Sequence, residues 1–286
     1  MHQNARTVSV RGLNIAFRDN GGSGYPIVFL HGSGASMDSF GRQFKSEILQ
    51  GFRLIGLDLP GHGGSDNAAN PDAAYSLRGF TTTVRGFLET LEIRRAMLVG
   101  WSLGAHVAME VLATSDIATG LMITGAPPIS LGPLGMLRGF QAHWDLLLTS
   151  KEHFSERDER RFLTLCFGAD KDEPSLARSL HRADGRFRPC FVRSLLRGEG
   201  ADEARTVAES VTPIAVVTGA GAPFARLSYF ASLSYGNLWR DTCHVIELAG
   251  HAPFWQQPAA YNALLHDFAN DVAARETAAP GLRRRA

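Results

Sequence analysis

The chain has 286 residues, 44% of them hydrophobic and 20% charged, with a formal net charge of +1. Such a composition supports a sizeable core and excludes both a disordered chain and a basic nucleic-acid-binding one. Cys166, Cys190 and Cys243 are odd in number and lack metal-ligand spacing, which points to reduced thiols in a cytoplasmic setting.

The opening MHQNARTVSVRG has no apolar signal core, and no apolar run approaches membrane-spanning length, so a soluble, unexported protein is expected. TVSV (7–10) and LNIAFRD (13–19) around Gly12 predict a hairpin. IVFL (27–30) predicts a buried strand that runs into HGSG. Phe40, Phe44 and Ile48 recur at helical spacing and predict an amphipathic helix. FRLIGLD (52–58) returns to strand, and Leu77, Phe80, Val84, Phe87, Leu88 and Leu91 mark another helix. AMLVG (96–100) and LMIT (121–124) predict strands flanking the helix-like LGAHVAMEVLA (103–113). This alternation implies an α/β fold, a doubly wound and mostly parallel sheet.

From 127 to 209 the rhythm changes to helical patches around 136–149, 156–167 and 174–182, the pattern of a helical cap inserted into the core. The core is then residues 1–126 and 210–276, with a flexible tail over 277–286 ending in Arg283, Arg284 and Arg285. PIAVV (213–217) and HVIEL (244–248) predict the last strands, separated by a helix near 225–235. A helix near 258–274 follows, with Tyr261, Leu264, Leu265 and Phe268 on one face.

Gly100-Trp101-Ser102-Leu103-Gly104 fits G-x-S-x-G between a strand and a helix. A sharp strand-to-helix turn needs small flanking residues and projects the serine hydroxyl above the sheet, which makes Ser102 the candidate nucleophile. His251, in LAGHAPF after a late strand, is the candidate base. His31 and His62 read as loop-stabilising, His106 as a packed helix residue, and His244 as the start of a strand. Backbone amides of Leu103 and of Ser33 in HGSG are the candidate oxyanion donors.

Taken together, HGSG (31–34), DLPGHGGS (58–65), GWSLGAH (100–106) and GHAPF (250–254) resemble the α/β-hydrolase superfamily. With GLMITGAPP (120–128), FSERD (154–158), PIAVV, YGNLW (235–239) and HVIELAGHAPF (244–254), the chain resembles the α/β-hydrolase type of N-acyl-homoserine lactonase over about residues 12–270. The resemblance implies metal-independent opening of a quorum-sensing lactone through an acyl-enzyme, with a small acyl lactone or ester as partner. No H-x-H-x-D-H pattern is present, so neither metal nor cofactor is expected. An apolar acyl pocket implies Gly32, Trp101, Met136, Phe140, Trp144 and Phe162 as candidate contacts.

The departures concern chemistry. Where the family reads roughly N-G-x-D-E-P-F, this chain reads TGAGAPF (218–224), placing Ala222 at the triad acid. Ser33 stands where the family favours Asn, and Phe162 near a cap Tyr. The loop after LMIT offers no acid either, leaving Glu247, read as part of the last strand, or Asp241, read as preceding it, as substitutes. Expected alternatives are therefore a weakened or inactivated lactonase, a broader carboxylesterase, and a catalytically silent ligand-binding homologue.

Overall fold

The computed structural model describes residues 5–141 and 144–278, so the basic triplet near the C-terminus lies outside the described residues. Its strands are β1 (Arg6–Val10), β2 (Leu13–Asp19), β3 (Pro26–Leu30), β4 (Arg53–Leu57), β5 (Ala96–Trp101), β6 (Ala118–Thr124), β7 (Ile214–Gly219) and β8 (Leu238–Ile246). They form one sheet in the order β1-β2-β4-β3-β5-β6-β7-β8. The pairs β1–β2 and β2–β4 are antiparallel, and every other pair is parallel.

Parallel strands need crossovers, and these cover both faces of the sheet. That is why β5, β6 and β7 are buried along their whole length and read as unbroken apolar runs. Their side chains alternate between two cores: Leu98 joins one with Phe80 and Phe87, while Met97, Val99 and Trp101 join the other with Phe254 and Phe268. The hairpin forms as expected, with Arg11 and Gly12 both at positive φ in its turn.

Helix α1 (Leu77–Thr90) starts at Ser76, whose hydroxyl accepts the Gly79 N–H at 3.0 Å. Helix α2 (Leu103–Thr114) is buried over most of its length and packs on the sheet centre. Between β6 and β7 lie α3 (Gly132–Gly139), α4 (Glu156–Phe167), α5 (Pro174–Arg182), α6 (Phe187–Leu196) and α7 (Glu203–Glu209). The C-terminal helix α8 (Pro258–Ala278) closes the second core.

Two local expectations are corrected. The stretch from Phe40 to Ile48 is no continuous helix: it breaks into Met37–Phe40, Gly41–Phe44 and Glu47–Leu49. Gln43 is drawn inward instead, donating to the Phe254 carbonyl and the Asn262 amide oxygen, while Ile48 stays exposed. The last strand spans Leu238–Ile246, so His244 is inside it, Asp241 is within it rather than before it, and Glu247 lies beyond its end. Sequence favoured the later register because HVIEL is apolar, whereas the strand's earlier half sits at the sheet edge and carries Arg240 and Asp241.

Gly104 fixes how closely α2 approaches β3: a methyl there would sit 2.1 Å from the Leu30 carbonyl oxygen. Gly104→Ala is expected to cost about 2–3 kcal/mol of stability, read as a lower urea midpoint at constant m-value; an unchanged midpoint would contradict this packing.

Candidate active site

Ser102 joins β5 to α2 with φ 53° and ψ −120°, a backbone conformation unfavourable for any side chain. Close packing imposes it, since a methyl on Gly100 would lie 2.5 Å from the Ala105 Cα. Although Ser102 is the N-cap residue, its hydroxyl caps nothing. A helix N-terminal serine ordinarily spends its oxygen on the helix's own amides. Here both the hydroxyl and the Leu103 amide are left unspent among the described residues. The Ser33 amide likewise takes no partner among the described residues.

The HGSG loop is fixed by a neutral imidazole. His31 Nδ1 donates to the Gly32 carbonyl at 2.8 Å, and Nε2 accepts the Leu59 N–H at 3.0 Å. Burial pushes its pKa down to about 4. Asp58 binds the same region from the other side, accepting N–H groups of Met37 and Gly64, each at 2.7 Å. Burial raises its pKa to about 6. His62 donates to the Pro60 carbonyl and lies tilted against His31, 4.9 Å between ring centres, so both loop histidines serve the turns that carry them.

His251 lies in the loop after β8, is 3% exposed, and lines the same cavity as Ser102. Its Nδ1 is buried without a hydrogen-bond partner. Gly125, after β6, faces the ring so closely that a methyl would sit 3.0 Å from Nδ1, and Ala222, the expected acid position, follows β7. Asp241 and Glu247 are exposed and do not reach it. Burial alone pushes the imidazole pKa down to about 3. The ring is held by shape: Phe224 meets it edge-on at 4.8 Å, and Trp101 lies 5.6 Å away while donating Nε1–H to the His251 carbonyl at 2.9 Å. No hydrogen bond joins Ser102 and His251 in this structure, a common state of such pairs without substrate.

The cavity has a volume of about 540 Å³, within the range of small-molecule sites. Ser33, Trp101, Leu103, Met136, Phe140 and Phe162 line it, as their candidate roles require. Gly32 does not; it lies beneath Trp101, where a methyl would meet the indole at 2.8 Å. Trp144 is also outside, 86% exposed on the cap surface. Leu137, Leu147 and Leu196 line the cavity yet stay exposed, so an apolar mouth opens through the cap.

Two cavity residues had no functional reading in the sequence. Arg188 on α6 is 3% exposed, with its Nε unpartnered and its guanidinium over Phe154 at 4.0 Å and Phe187 at 4.9 Å. Burial lowers its pKa to about 10, so the group stays cationic at neutral pH. His106 packs as expected but also lines the cavity and pairs with the buried Glu203. Neither role has a local motif, because each depends on the helices between β6 and β7 packing against the rest of the fold. Among the described residues, no group of three or more His, Cys, Asp and Glu could hold a metal. No described helix is long and apolar enough to cross a membrane.

Comparison with known proteins places this geometry. A family model described as "Alpha/beta hydrolase family" matches residues 27–264. Structures of the N-acyl homoserine lactonase AidH, including one complexed with N-hexanoyl homoserine lactone, superpose with a TM-score of 0.90 at 37% identity, covering 94% of this chain and 98% of that one. A 2-hydroxy-6-oxononadienedioate/2-hydroxy-6-oxononatrienedioate hydrolase of Cupriavidus pinatubonensis is 25% identical over 92% of this chain and 94% of its own. A putative aryl esterase from Burkholderia cenocepacia shares the fold, with a TM-score of 0.76 at 24% identity, covering 95% and 100% of the two chains.

His31, His62 and His251 all have lowered pKa values through burial. Each is neutral in the fold but protonates near 6.5 once unfolded, so the stability it lends is full above that value and is lost as pH falls. Asp58, raised to about 6 from 3.8, acts in the opposite sense, one group against three. The thermal midpoint is therefore expected to drop between about pH 7 and about pH 5; a flat or rising midpoint in a scanning-calorimetry series would contradict the burial of neutral imidazoles.

Proposed function

We propose that this chain, which belongs to the α/β-hydrolase family, is a serine hydrolase that opens the ring of N-acyl-homoserine lactones at a rate held down by its missing triad acid. The observation that carries the reading is the meeting of Ser102, His251 and two unspent amides at one end of an apolar cavity. Its likeness to AidH, whose structures hold acyl homoserine ligands, supplies the substrate class.

In this mechanism Ser102 Oγ attacks the lactone carbonyl carbon while His251 Nε2 takes its proton. The Ser33 and Leu103 amides receive the negative charge that develops on the carbonyl oxygen. Collapse breaks the bond from the carbonyl carbon to the ring oxygen, and His251 returns the proton to that oxygen. This leaves an acyl-enzyme bearing a free hydroxyl. Water, deprotonated by His251, attacks the ester; the proton passes to Ser102, and an N-acyl homoserine carboxylic acid departs.

A carboxylate at Nδ1 would fix the tautomer and stabilise the imidazolium formed in each step. Its loss is worth about 10⁴-fold in turnover, or about 5 kcal/mol of barrier. The same unpartnered Nδ1 favours a second reading, a ligand-binding homologue with little or no turnover. Broader ester hydrolysis remains within reach of the same chemistry.

Ala222→Glu is expected to raise the turnover of N-hexanoyl homoserine lactone by about 10²- to 10⁴-fold, and Ser102→Ala to abolish it, both followed by acid release in a pH-stat. Turnover unaffected by Ser102→Ala would sink the mechanism. Across the acyl series, kcat/KM should climb about fourfold for each added methylene that enters the apolar mouth; equal values from butanoyl to decanoyl would place the chain outside this cavity.

A further inference from the structure

The cavity contains a second histidine, and this one does have a carboxylate. His106 lies one turn along α2 from Ser102, and its Nδ1 is 2.8 Å and 3.0 Å from the two Glu203 oxygens. Glu203, at the start of α7 and 2% exposed, also accepts the Ile129 N–H at 3.0 Å. A carboxylate oxygen accepts, so the shared proton belongs on Nδ1, and in that tautomer of the ring Nε2 is the acceptor. That nitrogen takes no partner among the described residues, is not sealed off from the cavity, and sits in a wall formed by Phe140 and Phe191, at 6.0 Å and 6.2 Å between ring centres.

An acceptor in an apolar wall needs a donor, which is water in the empty cavity and must be an N–H or O–H of the ligand once that water is displaced. Ester and lactone oxygens and an alkyl chain offer no N–H or O–H. We infer that His106, oriented by Glu203, accepts the N–H of a secondary amide on the substrate and so selects acylamino lactones and esters over plain ones. This rests on the lactonase reading for the position of the amide beside the reacting carbonyl. His106 is a specificity residue that touches the ligand, and Glu203 is a positioning residue acting through the tautomer it imposes. Neither substitutes for the acid missing at His251.

The test compares N-hexanoyl homoserine lactone with its N-methyl amide analogue, which keeps the ring and the chain but has no N–H. Binding is measured calorimetrically with Ser102→Ala protein, and hydrolysis with the unaltered chain. Loss of the N–H should weaken binding about 10- to 100-fold. In His106→Phe the two ligands should bind within about twofold of each other. Glu203→Gln is the second variant, because His106→Phe leaves a buried carboxylate unpaired and can unfold the protein. The Gln amide has one acceptor for two donors, which turns its NH₂ toward Nδ1 and moves the proton to Nε2; discrimination should collapse there as well. A purely structural pair would weaken both ligands equally and leave their ratio unchanged, which overturns the inference, as does equal binding of the two ligands to the parent protein. Discrimination in binding without any lactone hydrolysis would overturn the lactonase reading and leave the amide contact standing. Hydrolysis without discrimination would do the reverse.

Discussion

Everything at this site follows from a serine backbone held where serine does not rest. At φ 53° and ψ −120°, Ser102 turns a buried strand directly into a buried helix. The conformation costs on the order of 1–3 kcal/mol, and it survives because Gly100 and Gly104 let α2 approach the sheet more closely than any side chain permits. The return is a hydroxyl and an amide that their own helix cannot use. Both face a cavity that is also lined by Ser33, whose loop is pinned by His31 and Asp58. Strain in one residue and rigidity in two loops thus produce a preorganised pair of donors.

The histidine is positioned by different means. A carboxylate would orient an imidazole and also stabilise its charged form; here packing does the first task alone. Phe224, Trp101 and Gly125 enclose the ring on three sides, and the Trp101–carbonyl hydrogen bond ties its loop to the nucleophile strand. Enclosure of that kind favours the neutral ring. The site therefore holds the ring in place while resisting a positive charge on it. The rest of the cavity is largely apolar, with His106 and Arg188 as its buried polar exceptions.

The sheet and the strand-to-helix turn at Ser102 were legible because each has a local signature. Fully buried strands read as apolar runs, and G-x-S-x-G marks the turn. The helices at 156–167 and 174–182 were equally plain from their periodicity. What escaped depends on contacts distant in sequence. Glu203 meets His106 across 97 residues, and nothing near either one announces it. Trp144 looked like a pocket aromatic from composition, yet the surrounding helical turn leaves it on the surface. The break in the helix near Phe44 was set by Gln43 reaching residues more than 200 positions away.

The bond from the Trp101 indole to the His251 carbonyl has a bearing on how such a protein changes over generations. Because the His251 carbonyl accepts from a residue of the central strand, the path of its loop does not depend on a partner for the side chain. What the ring meets and how its backbone is held become separable traits. A lineage built this way can vary the surroundings of the imidazole without sacrificing the fold.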